Sequence, residues 1–293
     1  MQKRIYLDNA ATTRVDESVV EAMKPYFSEI FGNPSSVHTF GQEARSAVDY
    51  SRDVVANFLN CDISEVIFTS GGSEADNLAI RGIVAANVTD NQTVKPHVIT
   101  SEIEHHAILH TVQELEREGK IEATYLKPDK SGIVSAESVK SAIKDNTVLV
   151  SIMYVNNEIG TIEPISEIGS MLEGENKQRN KKIYFHTDAV QAAEYAEMDV
   201  KKLKVDLLTF TAHKIHGPKG IGVLYIKSKT KIAPMITGGE HEFRRRAGTE
   251  NVPGMIGLAK AVELIKIKRS EIEGVKVLRD KLENSILENI SDT

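Results

Sequence analysis

Between residues 65 and 226 the chain repeats one pattern: a short apolar run stops at a polar residue, and a stretch with helical spacing follows. The runs are 65–69, 97–101, 148–155, 183–188 and 206–211, and 222–226 turns back after the last of them. Runs of this length are too short for helices and read as strands buried on both faces. Strands that alternate with helices need crossover connections, and these build a mostly parallel sheet with helices on both faces. The expected fold class is α/β. Ligands in such sheets bind outside the carboxyl ends of the strands. The residues that end each run are therefore the candidates for function.

Around this core the reading is simpler. Residues 5–13 read as a short strand running into a polar turn, and Asp16 caps a helix over 17–27. Apolar positions recur at helical spacing from 41 to 59, and a helix is expected over 74–84. Helices are also expected over 252–267 and, densely charged, over 270–290.

Taken in turn, the run ends carry reactive groups. Thr211-Ala212-His213-Lys214, followed by Gly217-Pro218, reads as a strand delivering a lysine to a pocket. Desolvation there disfavours the charged amine and frees it to attack carbonyls. A strand-end lysine in solvent is the commoner case when taken alone. Ser70-Gly71-Gly72-Ser73-Glu74 joins a strand to a helix start, where backbone N–H groups attract an anion; an ordinary turn capped by Ser73 has the same sequence. No Gly-Lys-Ser/Thr closes it, so it is not a nucleoside-triphosphate loop. His105 follows the next strand, where an imidazole stacks on a flat ligand or moves protons. His106 and His110 stand four apart without a third ligand of standard spacing, so no metal site is expected. Asn156-Asn157 suggests a loop clasp or a ligand contact. Asp188, with Gln191 three residues on, is either a helix cap or a carboxylate facing a cationic ring nitrogen. The loop over 238–251, with Arg244, Arg245 and Arg246, closes over a site, crosses to a second subunit or is simply solvated.

Composition narrows the classes. The 293 residues are 41% hydrophobic and 27% charged, enough for a sizeable core. A net charge of −6, without a basic cluster interleaved with aromatics, argues against a nucleic-acid partner. No apolar run approaches a membrane span, and the N-terminal residues lack the apolar core of a signal peptide. The single cysteine fits a reducing cytoplasm.

A phosphate cradle, a carbonyl-seeking lysine and a carboxylate for a ring nitrogen on one rim describe a pyridoxal 5'-phosphate site. The chain resembles the cysteine desulfurase family, the NifS/IscS-like group of class V aminotransferase-fold enzymes. The matching stretches include Tyr6-Leu7-Asp8-Asn9-Ala10-Ala11-Thr12-Thr13, Phe31-Gly32-Asn33-Pro34-Ser35-Ser36, Phe68-Thr69-Ser70-Gly71-Gly72-Ser73-Glu74, Val155-Asn156-Asn157-Glu158-Ile159-Gly160, His186-Thr187-Asp188-Ala189-Val190-Gln191, His213-Lys214-Ile215-His216-Gly217-Pro218-Lys219-Gly220 and Arg246-Ala247-Gly248-Thr249. The resemblance implies the fold type I of pyridoxal-phosphate transferases: an N-terminal segment of the small domain over 1–15, a large cofactor domain over 16–262, and the start of a small C-terminal domain over 263–293.

It also implies roles. Lys214 holds the cofactor as a Schiff base. Asp188 pairs with the pyridine N–H, and His105 stacks on the ring and moves protons. Asn157 and Gln191 lie near the ring and its phenolic oxygen, while Gly72, Ser73, Thr211 and His213 hold the phosphate. Thr249 reaches the phosphate of a neighbouring subunit, which implies a homodimer with shared sites. L-cysteine is the implied substrate and L-alanine the product. An enzyme cysteine carries the sulfur as a persulfide to an iron–sulfur scaffold or another acceptor, for cluster assembly or tRNA thiolation. The family's nucleophilic cysteine lies in a later loop that this sequence does not contain, as does its substrate-carboxylate arginine. The only cysteine is Cys61, between a helix and a strand and not expected to carry the persulfide. The chain is thus expected to be a truncated or split desulfurase that binds the cofactor and does not itself release sulfur. A class V aminotransferase, a selenocysteine lyase and a non-catalytic cofactor-binding subunit are the alternatives.

Overall fold

The computed structural model describes residues 4–88 and 94–291, with side chains left out over 268–273. The opening segment forms no strand. Its backbone pairs with the turn that carries the lysine: Thr13 N donates to His213 O and Asp16 N to His216 O, both at 2.9 Å. Asp16 caps α1 (Glu17–Met23) by accepting from Ser18 N. The helix expected over 17–27 breaks at Lys24, because Pro25 has no N–H to continue it and instead starts α2 (Pro25–Ser28). α3 (Thr39–Leu59) ends at a left-handed Asn60.

The alternating region follows: β1 (Val66–Thr69), α4 (Gly72–Asn87), β2 (His97–Ser101), α5 (His106–Arg117), β3 (Glu122–Leu126), α6 (Ala136–Ser141), β4 (Thr147–Ser151), α7 (Ile165–Asn176), β5 (Tyr184–Asp188), α8 (Val200–Leu203), β6 (Leu207–Thr211) and β7 (Gly222–Ile226). The sheet order is β1-β7-β6-β5-β4-β2-β3. Every neighbouring pair from β6 to β3 is parallel, and β7 alone runs against β6 and β1. The carboxyl ends of β1, β2, β4, β5 and β6 therefore share one rim.

Side chains alternate across this sheet. Val66, Phe68, Val150, Leu208 and Phe210 enter the core with α3 and α7. Ile67, Leu149 and Leu207 enter the second core, beneath α4 and α5. The polar residues buried within the strands, such as His97, Thr147, His186 and Thr209, are bonded to neighbouring side chains, which offsets their loss of water. The last helix, α10 (Val252–Asn289), is continuous where two helices were expected, since no proline interrupts residues 254–289. Its run of buried residues stops at Val262. No described helix is long and apolar enough to cross a membrane.

One buried ion pair ties the chain's far loop to the sheet. Arg52 on α3 meets Glu242 at 2.8 and 2.9 Å, and Glu242 also accepts from Phe68 N at 2.9 Å. Glu242 opens α9 (His241–Arg244) together with His241, and Glu242, Phe243 and Arg244 are all left-handed, with φ of 46, 56 and 64°. Such backbone costs about 1–2 kcal/mol per residue, and the doubly bonded carboxylate offsets it. Arg52→Ala would leave Glu242 charged and buried, at a cost of about 3–5 kcal/mol in urea unfolding. Lys202→Ala, which breaks an exposed pair with Glu197, costs less than about 1 kcal/mol. Equal losses from the two variants would contradict this account.

A buried carboxyl also fixes the rim. Glu104 Oε1 accepts from Ser101 Oγ at 2.7 Å and from Met153 N at 2.9 Å, joining the ends of β2 and β4. Burial pushes the Glu104 carboxyl up to about 8. It is neutral in the folded chain at pH 7 and charged in the unfolded one. The stability it contributes is complete below about pH 4 and is lost as pH rises toward that value, at about 1.4 kcal/mol per unit for one proton. Glu104→Gln removes that slope from the pH profile of unfolding; an unchanged profile would refute the assignment.

Candidate active site

The shared rim opens into a cavity of about 440 Å³. It is lined by all the sequence-predicted residues except Thr249: Gly72, Ser73, His105, Asn157, Asp188, Gln191, Thr211, His213 and Lys214. Thr249 lies instead in a smaller cavity beside Ser70 and Arg246.

Lys214 sits in the 3-10 turn after β6. Its Nζ donates to Ala11 O at 2.9 Å and also to Ala10 O. The opening segment is thereby a strap across the mouth, and Gln191 holds the same strap by donating to Ala10 O at 2.9 Å. Burial lowers the Lys214 amine from its usual range, and the charges of Asp188 and Asp8 partly restore it. The two opposed effects leave an amine that loses its proton more easily than one in water.

Asp188 ends β5, the strand next to the lysine's own, and is 5% exposed. Its Oδ1 accepts from Val190 N at 2.9 Å, and no described residue donates to Oδ2. Burial raises this carboxyl, while the Val190 N–H, His105 and Lys214 pull it back. An oxygen without a protein partner in a cavity wall is suited to an N–H donor from a ligand.

His105 caps α5: its Nδ1 accepts from Ala107 N at 3.1 Å. That bond fixes Nδ1 as the acceptor and leaves Nε2 for proton transfer. His213 is held lower than an ordinary histidine by burial, and then by Lys214 and Lys219. Its Nδ1 lies 3.2 Å from Thr12 Oγ1.

The helix start of α4 has no side-chain cap, so its first N–H groups remain available to an anion. A Cβ at Gly72 would stand 3.0 Å from Val190 Cγ2, and one at Gly222 would stand 2.6 Å from the Gly71 carbonyl carbon. Glycine at these positions lets the turn pack against β7 and stay open toward the cavity. Thr211 lines this end, with its hydroxyl donating to Ile221 O at 2.8 Å.

The two adjacent amides divide the roles suggested for them. Asn156 is the clasp, donating to Ile103 O and accepting from Glu158 N and Ile159 N. Asn157 faces the cavity. His106 and His110 stack at 4.6 Å on the outer side of α5 and line a different hollow. Cys61 precedes β1, at the opposite end of the sheet from this rim, and burial with Glu65 and Asp62 nearby pushes its thiol up to about 12. It is a half-buried thiol, not a nucleophile at neutral pH.

Sequence reasoning missed Asp76, which lines the cavity from α4 and is 1% exposed. It also missed the strap carbonyls and Glu104. The available signal for Asp76 was a lone carboxylate among Ala75, Leu78 and Ala79 on an otherwise apolar helix face.

The class V aminotransferase family model matches residues 5–293. A cysteine desulfurase IscS of Clostridium botulinum is 50% identical over 283 residues, covering 96% of this chain and 68% of that protein. One from Methanosarcina thermophila is 49% identical over 286 residues, covering 97% and 68%. Among solved structures, a NifS-like protein superposes with a TM-score of 0.90 at 39% identity, covering 98% of this chain and 76% of that one. SspA in complex with cysteine superposes at 0.83 with 41% identity, covering 89% and 72%. The chain belongs to the class V aminotransferase family and, within it, to the NifS/IscS-like cysteine desulfurases.

Proposed function

We propose that the chain is a pyridoxal 5'-phosphate-dependent cysteine desulfurase, taking sulfur from L-cysteine and leaving L-alanine. The observation that carries the reading is the pairing of Lys214 with Asp188 on adjacent strand ends in one cavity. A cavity of that size, an uncapped helix start, a depressed amine and a carboxylate oxygen without a protein partner suit a flat, phosphorylated aldehyde with a basic ring nitrogen. The cysteine desulfurase names of the relatives and the cysteine bound in one structural neighbour support the substrate.

The cofactor, when bound, supplies an electron sink for breaking the substrate's carbon–sulfur bond. The protein's part is placement and proton handling. Lys214 would anchor the cofactor covalently and, when free, would serve as a base in the cavity. Asp188, through its Oδ2, would accept from a protonated ring nitrogen. Gly72 and Ser73 at the start of α4 would hold the phosphate, with His213 and Thr211 contributing; the Thr211 hydroxyl would have to turn away from Ile221 O to donate there. His105 would pack against the ring and hold or move a proton at Nε2. Asn157 and Gln191 would contact the ring and its phenolic oxygen.

The sulfur-accepting thiol is not Cys61, whose sulfur is half-buried at the far end of the sheet. An acceptor thiol from outside these 293 residues completes the reaction. Exposed Ile5, Leu7, Phe31 and Val37, together with Thr249 outside the main cavity, support a homodimer with shared sites. The burial that ends at Val262 supports a large unit over 16–262, flanked by small-domain segments at 1–15 and 263–293. A single cysteine supports a reducing cytoplasm and delivery to an iron–sulfur scaffold or similar acceptor protein.

Adding pyridoxal 5'-phosphate should produce a visible absorbance band in the protein and none in Lys214→Ala. With cysteine and an external thiol, Asp188→Asn should form alanine more slowly by on the order of 100-fold, while Cys61→Ser matches the parent chain. A band that survives Lys214→Ala, or alanine formation abolished by Cys61→Ser, would overturn this reading.

A further inference from the structure

A second carboxyl stands behind Asp188. Asp76 enters the cavity floor from α4 and is buried to 1% exposure. One oxygen of Asp76, one of Asp188 and a ring nitrogen of His105 lie within 4.8 Å of one another. Asp76 Oδ1 is buried without a hydrogen-bond partner. The titratable groups around this floor are Asp188 and His186 on β5, Glu104 and His105 before α5, and Lys214 after β6.

These neighbours decide where a proton sits. Asp188 has a backbone N–H on one oxygen and the charges of His105 and Lys214 in its favour. Asp76 has the Thr209 hydroxyl and, at 3.7 Å, His186 Nε2. His186 offers no charge: it is fully buried, its Nδ1 lies 2.9 Å from Ser151 Oγ, its Nε2 lies 3.1 Å from Thr209 Oγ1, and burial drives it down to about 3. Two carboxylates this close in a dry site do not both ionise. Desolvation and the charge of Asp188 both push Asp76 well above the usual carboxylate range.

We propose that Asp76 is a positioning residue that retains a proton on the cavity floor, so that the Asp76–Asp188 pair carries a single negative charge, held on Asp188. The location of the proton belongs to the apoprotein. Its consequence, a fixed negative charge aimed at a ring nitrogen, rests on the cofactor reading above. With Asp76 neutral, Asp188 stays ionised at neutral pH without a second anion beside it. Had the proton settled on Asp188 instead, the wall would offer an acid where the ring nitrogen needs an acceptor.

The test is infrared spectroscopy of protein carrying 13C-labelled aspartate, in the apo and cofactor-loaded forms, at neutral pH. The expected result is one protonated aspartate C=O band, absent from Asp76→Asn and retained in Asp188→Asn, where loss of the like charge moves its titration to lower pH. No such band, or a band that survives Asp76→Asn and vanishes in Asp188→Asn, would overturn the proposal. Urea unfolding of the apoprotein gives a second reading. An acid held neutral only in the folded state makes the unfolding constant of the parent rise, relative to Asp76→Asn, about tenfold per pH unit above pH ~4. A constant ratio would contradict the proposal. Both readings are decided on the apoprotein, so their failure is distinct from failure of the Lys214 absorbance test.

Discussion

An amine and a carboxylate on neighbouring strand ends, Lys214 after β6 and Asp188 closing β5, set the terms for the rest of the molecule. Each is drawn toward its neutral form by burial, and each is drawn back toward its charged form by the other. Neither adjustment is possible on a solvated loop. It requires a rim whose walls are dry and whose strands do not shift, and the two apolar cores on either side of the sheet provide both. The strap over 8–13 completes the enclosure by placing the Ala10 and Ala11 carbonyls on the lysine amine.

The rim is not a stability feature. Asp76, Glu104 and Asp188 are three carboxyls taken out of water at one end of the sheet, and Asp76 Oδ1 and Glu104 Oε2 lack partners. Each lowers the stability of the fold at neutral pH. The rest of the sheet offsets this with strands buried on both faces and with the Arg52–Glu242 pair, which locks the left-handed turn onto α3 and β1. Polar groups at the strand ends and apolar packing elsewhere are two sides of one arrangement.

Much of this was legible in the sequence because strands and turns punctuate it. Runs such as 183–188 and 206–211 are apolar until they break, and the break marks the rim. Asp188, His213 and Lys214 were found in this way, and the parallel sheet follows from the alternation. What was not legible lacks punctuation. The segment over 5–13 has a strand-like composition, but it and the following Asp16 pair their backbones with His213 and His216, some 200 residues away, and no local pattern encodes that. The fusion of the last two helices depends on the absence of a break, not on a signal. Asp76 is a single polar residue on an apolar helix face that packs against the sheet, and only the fold shows that this one side chain reaches the cavity. The division of labour between Asn156 and Asn157 likewise depends on which amide meets Ile103 O.

The most direct test of the central claim is chemical trapping. The protein is incubated with pyridoxal 5'-phosphate, reduced with borohydride and digested, and the modified lysine is located by mass spectrometry. The account predicts one dominant site, Lys214, even though the chain is rich in lysines. Modification spread over surface lysines, with Lys214 left unlabelled, would contradict it.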